Sequence, residues 1–226
     1  MTLVLWDVDH TLIATRGVGR EAFAAAFERA TGRRLERQAE ITGRSELIIF
    51  RETLALHGLP RDAVGFATYT ELLADEYMRR AAGLRERGHA LPGAAAALDA
   101  LAGVPGVVQT AATGNVRPVA EIKLETFGLD AHMDFEVGGY GEDAEVRADM
   151  IRVALRRGGV KPADAIIFGD TVTDVEAGRA TGVFVVGVAT GRTSAEELAE
   201  AGADVVLPGL GDTARVVGLV RERSGG

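Results

Sequence analysis

The sequence predicts an α/β fold, a doubly wound parallel sheet with an all-helical cap inserted after the first strand. Short apolar runs recur along the chain without polar alternation, which is typical of parallel strands buried on both faces. Helical patterns separate these runs from residue 89 onward, as expected for strand–helix–strand units. Only helical patterns occur between residues 15 and 88, so the sheet is interrupted once.

The predicted elements follow one another in order. Strands are short and rich in apolar and β-branched residues, and we place them at 2–8, 106–113, 135–139, 165–170, 184–190 and 204–207. Helices are predicted between them at 93–102, 116–127, 144–157, 173–180 and 194–201. Asn115 is a candidate cap for the second of these helices, and Thr193 or Ser194 for the last. Right-handed crossovers between such strands give a Rossmann-like sheet.

We expect two units in the chain. Residues 1–14 and 89–226 form the α/β core, and residues 15–88 form the helical cap. The cap contains the helical patterns GREAFAAAFERATG and SELIIFRETLALHG, followed by the long segment AVGFATYTELLADEYMRRAAGLRER. The sheet resumes after Pro92, so the cap is an insertion into the core.

Composition excludes several classes of protein. The 226 residues are 47% hydrophobic, which supports a large core and argues against disorder. The absence of cysteine excludes disulfides and thiol nucleophiles, and four scattered histidines do not suggest a zinc cluster. A net charge of −8 argues against nucleic-acid binding. Neither a membrane-spanning run nor a signal-peptide pattern is evident, so we expect a cytoplasmic enzyme, as a monomer or homodimer.

Asp7 and Asp9 come at the end of the first predicted strand. Burying carboxylates is costly unless a cation, hydrogen bonds or an open crevice compensates. Ligands of open α/β sheets bind in the crevice at the carboxyl ends of the strands. The pair is therefore a candidate site, although a loop aspartate that closes an Asx-turn explains the short motif equally well.

Asp170 and Asp174 follow a second apolar strand, AIIF. Asp174 falls in the first turn of the next helix, where the helix dipole favours a carboxylate. Together with Asp7 and Asp9 they place four carboxylates in one crevice, where they would repel each other without a cation. Ligands that are all oxygen favour Mg²⁺. The sequence thus predicts a magnesium site.

Thr113, Gly114 and Asn115 lie where the second strand passes into a helix. A hydroxyl and free backbone N–H groups at a helix N-terminus can bind an anion, although Thr and Asn are also common helix caps. A nucleophilic carboxylate, a divalent cation and a phosphate cradle together are typical of phosphoryl transfer through an aspartyl-phosphate.

The ordered motifs resemble those of the haloacid dehalogenase superfamily, specifically its phosphatases with a helical cap after the first strand. The motifs are D-x-D-x-T at 7–11, T-G-N at 113–115 and G-D-x-x-x-D at 169–174, and the resemblance covers nearly the whole chain. Within the superfamily, the motifs resemble those of phosphoglycolate-phosphatase-like members. The resemblance implies a Mg²⁺-dependent phosphatase that acts on a small phosphomonoester.

The resemblance also implies a role for each aspartate. Asp7 would attack phosphorus, and Asp9 would protonate the leaving oxygen and then activate water. Mg²⁺ would be held by the Asp7 carboxylate, the Asp9 backbone carbonyl and Asp170, with Asp174 acting through water. Thr113, Gly114 and Asn115 would bind the phosphoryl group of the substrate.

Two positions depart from the family pattern. The family usually has glycine where this chain has His10, whose imidazole could contact substrate or point away. The family also has a basic residue, usually lysine, before the last motif. Arg147 lies at about the right place in the chain and is the first candidate. Lys123, on the helix after Thr113, is the second candidate, and Lys161 lies too close to the following strand. Arginine would bind phosphate by a planar fork.

Substrate choice is expected to come from cap loops near 15–19 and 42–45. Arg44 is a candidate for binding a second anionic group of the substrate. A β-phosphoglucomutase-like mutase would retain every core motif. A catalytically silent protein could keep the fold to bind a ligand, but it would have no need of all four aspartates.

Overall fold

The computed structural model describes residues 1–224, and its strands form two sheets. The strands are β1 (Thr2–Trp6), β2 (Ile13–Ala14), β3 (His89–Ala90), β4 (Val107–Ala111), β5 (Ala165–Gly169), β6 (Phe184–Val188) and β7 (Val205–Leu207). Five of them form a parallel sheet in the order β4-β1-β5-β6-β7. The predicted α/β fold with a parallel sheet is confirmed. Strand β7 confirms the last predicted strand.

Helices flank this sheet and fill the segment between β2 and β3. They are α1 (Val18–Thr31), α2 (Glu46–Leu56), α3 (Phe66–Arg79), α4 (Ala81–Arg87), α5 (Ala94–Ala102), α6 (Arg117–Thr126), α7 (Arg147–Gly158), α8 (Val172–Thr181), α9 (Ala195–Glu200) and α10 (Thr213–Ser224). Within residues 1–224, no helix is both long and apolar enough to cross a bilayer.

The sheet is buried on both faces because its strands carry apolar side chains at nearly every position, with Thr2, Gln109 and Thr110 as buried polar exceptions. Alternate residues of a strand point to opposite faces. Val4 and Trp6 of β1 join the apolar cluster that includes α5 and α10, while Leu3 and Leu5 join the cluster that includes α7 and α8. The Trp6 and Phe168 rings stack with centroids 4.4 Å apart, which ties β1 to β5 at the end where the site lies.

The helices α1 to α4 pack around an apolar cluster of their own. Phe23, Phe50 and Tyr69 are buried there, and the rings of Phe50 and Tyr69 stack at 3.8 Å. The antiparallel pair β2–β3 connects this helical segment to the core. The long helical pattern that ends in AAGLRER forms two helices, α3 and α4, which meet at Arg80. We refer to residues 18–87 as the cap.

Two local predictions were wrong. Residues 135–139 do not form a strand: Phe135–Val137 is a single 3₁₀ turn, and Gly139 forms only an isolated bridge with Ala112. Glycine weakens a strand. A Cβ on Gly139 would lie 2.1 Å from the carbonyl oxygen of Met150, so glycine is needed here to let the chain pass close to the backbone of α7. Helix α6 is capped by Val116, because the side chain of Asn115 is turned into the site.

Candidate active site

The crevice begins where β1 and β5 end side by side. The Asp7 backbone N–H still belongs to the sheet and donates to the carbonyl of Phe168 at 2.9 Å. Val8 is fully buried, and its carbonyl accepts hydrogen bonds from the N–H groups of Leu12 and Ile13. This turn fixes the chain directly after Asp7, so Asp7 and Asp9 both line the same cavity.

Asp7, Asp170 and Asp174 form a buried acidic cluster. Each offers a carboxylate oxygen, and these oxygens lie within 4.8 Å of one another. Asp174 is fixed by a capping box at the start of α8, in which the Thr171 hydroxyl donates to its Oδ2 at 2.7 Å. The Thr11 hydroxyl donates to Asp170 at 3.5 Å. The structure thus brings together the three aspartates whose carboxylates are expected at the metal site.

Arg147, the first residue of α7, enters the acidic cluster. Its Nη2 lies 2.6 Å from Asp7 Oδ1 and 2.5 Å from Asp174 Oδ1. The side chains of Arg147, Asp7 and Asp174 are 5%, 10% and 2% exposed. The Nε atom of Arg147 is buried and has no hydrogen-bond partner in residues 1–224, so one donor of the guanidinium stays unused. One buried cation therefore faces several buried carboxylates.

This excess of negative charge appears in the pKa values of the acidic cluster. The pKa of Asp7 is raised to about 6, mainly by burial; Arg147 opposes the rise, and the charge of Asp174 adds to it. Burial, together with the charges of Asp7 and Asp174, raises the pKa of Asp170 to about 9. A divalent cation would relieve this repulsion, and a ligand set made only of oxygen atoms suits Mg²⁺. The residues present therefore fit the metal that the sequence predicts.

Asp9 has a different partner, Lys123. The Lys123 ammonium lies 2.6 Å from Asp9 Oδ2 and 2.6 Å from Asn115 Oδ1, and its side chain is only 4% exposed. Asn115 Nδ2 donates to the same Asp9 oxygen at 2.8 Å. Burial alone would raise the pKa of Asp9, but the Lys123 charge and these hydrogen bonds outweigh burial and lower it.

Lys123 is only the second candidate for the basic partner on sequence position, because it lies early in the chain. A usable signal was present in helix α6, whose buried side consists of Val119, Ala120, Lys123 and Leu124. A lysine in an apolar stripe at helical spacing needs a buried partner. The partner is Asp9, which lies 114 positions earlier in the chain.

Thr113 and Gly114 lie at the end of β4, beside the acidic cluster and in contact with the cap. The Thr113 hydroxyl accepts hydrogen bonds from the N–H and Nδ2 of Asn115. The carbonyl of Gly114 accepts from the N–H of Glu46 in the cap at 2.8 Å. A Cβ on Gly114 would lie 2.2 Å from the carbonyl oxygen of Arg44, so only glycine permits this contact between core and cap.

A cavity of about 610 Å³ lies between the core and the cap, lined by residues of both. His10 is exposed at this cavity with φ of 63°, a left-handed conformation in which glycine would be unstrained. Its carbonyl accepts a hydrogen bond from Thr190 at 2.5 Å. Arg44 also lines the cavity, and its guanidinium is paired with Glu52.

Comparison with known proteins identifies the class of this protein and then its family. The protein is a hydrolase. It belongs to the haloacid dehalogenase-like hydrolases, because residues 1–182 of its 226 match the model of that family. The resemblance stated from the sequence motifs is therefore confirmed. Among curated proteins, no match was found.

Solved structures share the whole fold at low sequence identity. A hydrolase from Pseudomonas syringae is 20% identical over 97% of this chain and 99% of that chain, with a TM-score of 0.67. A predicted phosphoglycolate phosphatase from Haemophilus somnus 129pt is 16% identical over 96% and 98%, with a TM-score of 0.64. A candidate β-phosphoglucomutase from Bacteroides vulgatus is 17% identical over 100% and 91%, with a TM-score of 0.66. At such identities the likeness shows the fold alone.

Proposed function

We propose that this protein is a Mg²⁺-dependent phosphatase that hydrolyses a small phosphomonoester through an aspartyl-phosphate on Asp7. The observation that carries the proposal is that Asp7 and Asp9, two positions apart, pair with different buried cations. Arg147 binds one oxygen of Asp7, and Lys123 binds one oxygen of Asp9. Two carboxylates in different environments suit two different chemical roles.

Asp7 is the nucleophile in this proposal. Its Oδ1 is held by Arg147, and Oδ2 has no hydrogen-bond partner among residues 1–224, which leaves that oxygen available to attack phosphorus. The bond from phosphorus to the leaving oxygen breaks as the Asp7–phosphorus bond forms. The guanidinium of Arg147 then stabilises negative charge on the transferring group, and its unused Nε–H is a further donor for a phosphoryl oxygen.

Asp9 is the acid and base. The free protein holds Asp9 ionised beside Lys123, so Asp9 needs a proton when the substrate binds. A phosphomonoester loses its second proton near pH 6, so near neutral pH a fraction of the substrate brings that proton, and its negative charge raises the pKa of Asp9. Asp9 gives the proton to the leaving oxygen. Once ionised again, it takes a proton from the water that attacks the aspartyl-phosphate.

The acidic cluster would hold Mg²⁺ through Asp7, Asp170 and Asp174, with the Asp9 backbone carbonyl as a further ligand. When bound, the metal supplies positive charge that polarises the phosphoryl group and neutralises the carboxylates around it. Thr113 and the N–H of Gly114 would orient the phosphoryl oxygens, while Asn115, whose donors are taken up by Thr113 and Asp9, would position Asp9. His10 and Arg44 remain predicted substrate contacts at the cavity wall.

The proposal is tested by phosphate release from a panel of small phosphomonoesters with Mg²⁺, and with EDTA as the metal-free control. Asp7→Asn should abolish release, because an amide is not a competent nucleophile here. Asp9→Asn should slow hydrolysis of the intermediate, so that intact-protein mass spectrometry detects one added phosphoryl group and peptide mapping places it on the peptide that contains Asp7.

The matched control is Asp62→Asn, which changes an exposed cap aspartate away from the cavity and should keep full activity. Full activity in Asp7→Asn would contradict the proposal. A phosphoryl group found on any other residue would contradict the assignment of the nucleophile.

A further inference from the structure

Glu46, the first residue of cap helix α2, brings a carboxylate to the wall of the cavity. Its backbone N–H donates to the Gly114 carbonyl, which fixes this residue where the cap touches the core. Its side chain lines the same cavity as Asp9 and Lys123. None of the roles derived above uses this carboxylate.

The carboxylate of Glu46 is only half satisfied. The fully buried Tyr69 donates its hydroxyl to Oε1 at 3.0 Å. Across residues 1–224, Oε2 has neither a hydrogen-bond partner nor an ion-pair partner within 4.0 Å. Burial raises the pKa of Glu46 to about 7, with the charge of Asp9 acting in the same direction and Lys123 opposing it. The side chain of Glu46 is half-buried at the cavity wall, so Oε2 is open to the cavity and can accept a hydrogen bond from a ligand.

The position of Glu46 relative to Asp9 indicates which part of a substrate it meets. Asp9 is the residue that protonates the leaving oxygen in the proposed reaction, so the leaving group extends from Asp9 into the cavity. Glu46 is bonded through its N–H to Gly114, and the next residue, Asn115, donates to Asp9 at 2.8 Å, so Glu46 and Asp9 line the same part of the cavity. The leaving group therefore passes within reach of the cap carboxylate.

We propose that Oε2 of Glu46 accepts a hydrogen bond from the leaving group of the substrate. The substrate class is then a phosphomonoester whose leaving group carries a hydroxyl or an ammonium group. A leaving group with a carboxylate or a second phosphate at this position is repelled by Glu46. This inference rests on the proposed phosphatase function and narrows its substrate, and it disfavours phosphoglycolate.

The test measures kcat/KM with Mg²⁺ at pH 8 for matched phosphomonoesters. Glycerol 3-phosphate and O-phosphoethanolamine supply a hydroxyl and an ammonium donor. Propyl phosphate has a similar length and no donor, 2-phosphoglycolate carries a carboxylate, and 4-nitrophenyl phosphate reports catalysis with an activated leaving group. We expect the wild-type protein to prefer at least one donor-bearing ester to propyl phosphate by at least about tenfold, the effect of one hydrogen bond to a charged group.

The variants are Glu46→Leu, which removes the acceptor, and Glu46→Gln, which keeps an acceptor oxygen and removes the charge. In Glu46→Leu, kcat/KM for the donor-bearing esters should become about equal to that for propyl phosphate. Hydrolysis of 4-nitrophenyl phosphate should stay within about threefold of wild type. Glu46→Gln should retain part of the preference for the hydroxyl and lose most of that for the ammonium group. Glu71→Gln, an exposed glutamate of α3, is the matched control.

The outcomes separate the two proposals. An unchanged preference in Glu46→Leu, or a wild-type protein that favours 2-phosphoglycolate, overturns the role of Glu46 while the phosphatase function stands. If thermal melting shows that Glu46→Leu does not fold, Glu46→Gln takes its place in the test. An unchanged preference of Glu46→Gln for O-phosphoethanolamine over propyl phosphate then overturns the role of Glu46. A wild-type protein that hydrolyses none of the five esters overturns the phosphatase function and this inference with it.

Discussion

Replacing Arg147 with methionine should destabilise the protein far more than an ordinary loss of an ion pair. The guanidinium is almost fully buried and lies 2.6 Å from Asp7 and 2.5 Å from Asp174. Methionine fills much of the same volume without a charge. The variant thus keeps the packing of α7 and leaves the buried carboxylates without their cation.

The expected loss is about 3–5 kcal/mol in the free energy of unfolding at pH 8 without metal, the range for removing one partner of a buried pair. The matched control is Arg152→Met on the same helix. Arg152 pairs with Asp149 at 2.6 Å, but the two side chains are 46% and 52% exposed. Such surface pairs contribute about 0–1 kcal/mol. The same substitution therefore has two very different expected costs.

The assay is urea unfolding followed by circular dichroism, in EDTA and in Mg²⁺. Mg²⁺ should stabilise the Arg147→Met variant more than wild type, because a bound cation supplies the charge that was removed. At pH 5 the cost should be smaller, since Asp7 and Asp170, whose pKa values are about 6 and about 9, are then largely protonated. Equal costs for the two arginine variants would refute the reasoning, and so would a loss at pH 5 as large as the loss at pH 8.

Three further predictions follow from the same contacts. In EDTA, the wild-type free energy of unfolding should fall as the pH rises from about 4 to about 9. The reason is that the pKa values of Asp7 and Asp170, about 6 and about 9 in the folded protein, exceed the value near 3.9 of an unfolded aspartate. With Mg²⁺, the free energy measured by urea unfolding should depend less on pH. Lys123→Met should raise the pKa of Asp9, which acts as the base only when it is ionised. As the pH is lowered, decay of the aspartyl-phosphate should therefore begin to slow at a higher pH in this variant than in wild type, whereas Lys161→Met, which changes an exposed lysine, should keep the wild-type pH profile. Gly114→Ala should raise KM and lower the melting temperature by displacing the cap, whereas Gly211→Ala, with open space around its Cβ, should not.

Most of the sheet could be predicted from local patterns, because a strand buried on both faces must be apolar along its whole length. The failure at 135–139 is instructive. Phe135 and Val137 are apolar and β-forming, yet the segment turns, since Gly139 is needed for the approach to Met150. That requirement comes from a neighbouring helix and leaves no trace in the hydropathy of the segment itself.

Within the site, the carboxylates were predictable and most of their partners were not. Asp7, Asp170 and Asp174 follow strand ends, and parallel strands end at one edge of a sheet, so their convergence follows from chain order. The motif order also placed Arg147 near the nucleophile, although its contact with Asp174 was not foreseen. Which cation faces which aspartate depends on how α6 and α7 pack.

The sequence by itself determined the class of fold, the family and the aspartates at the strand ends, because each is written in a local pattern of residues. Only the tertiary structure decided that Lys123 pairs with Asp9 across 114 positions, and that Glu46 of the cap faces the cavity with a free oxygen. Lys123 is buried and Glu46 is half-buried, and the free energy of a charge withdrawn from water depends on the partners that packing brings to it. Those partners lie far away in the chain and become neighbours only when the cap and the core pack together.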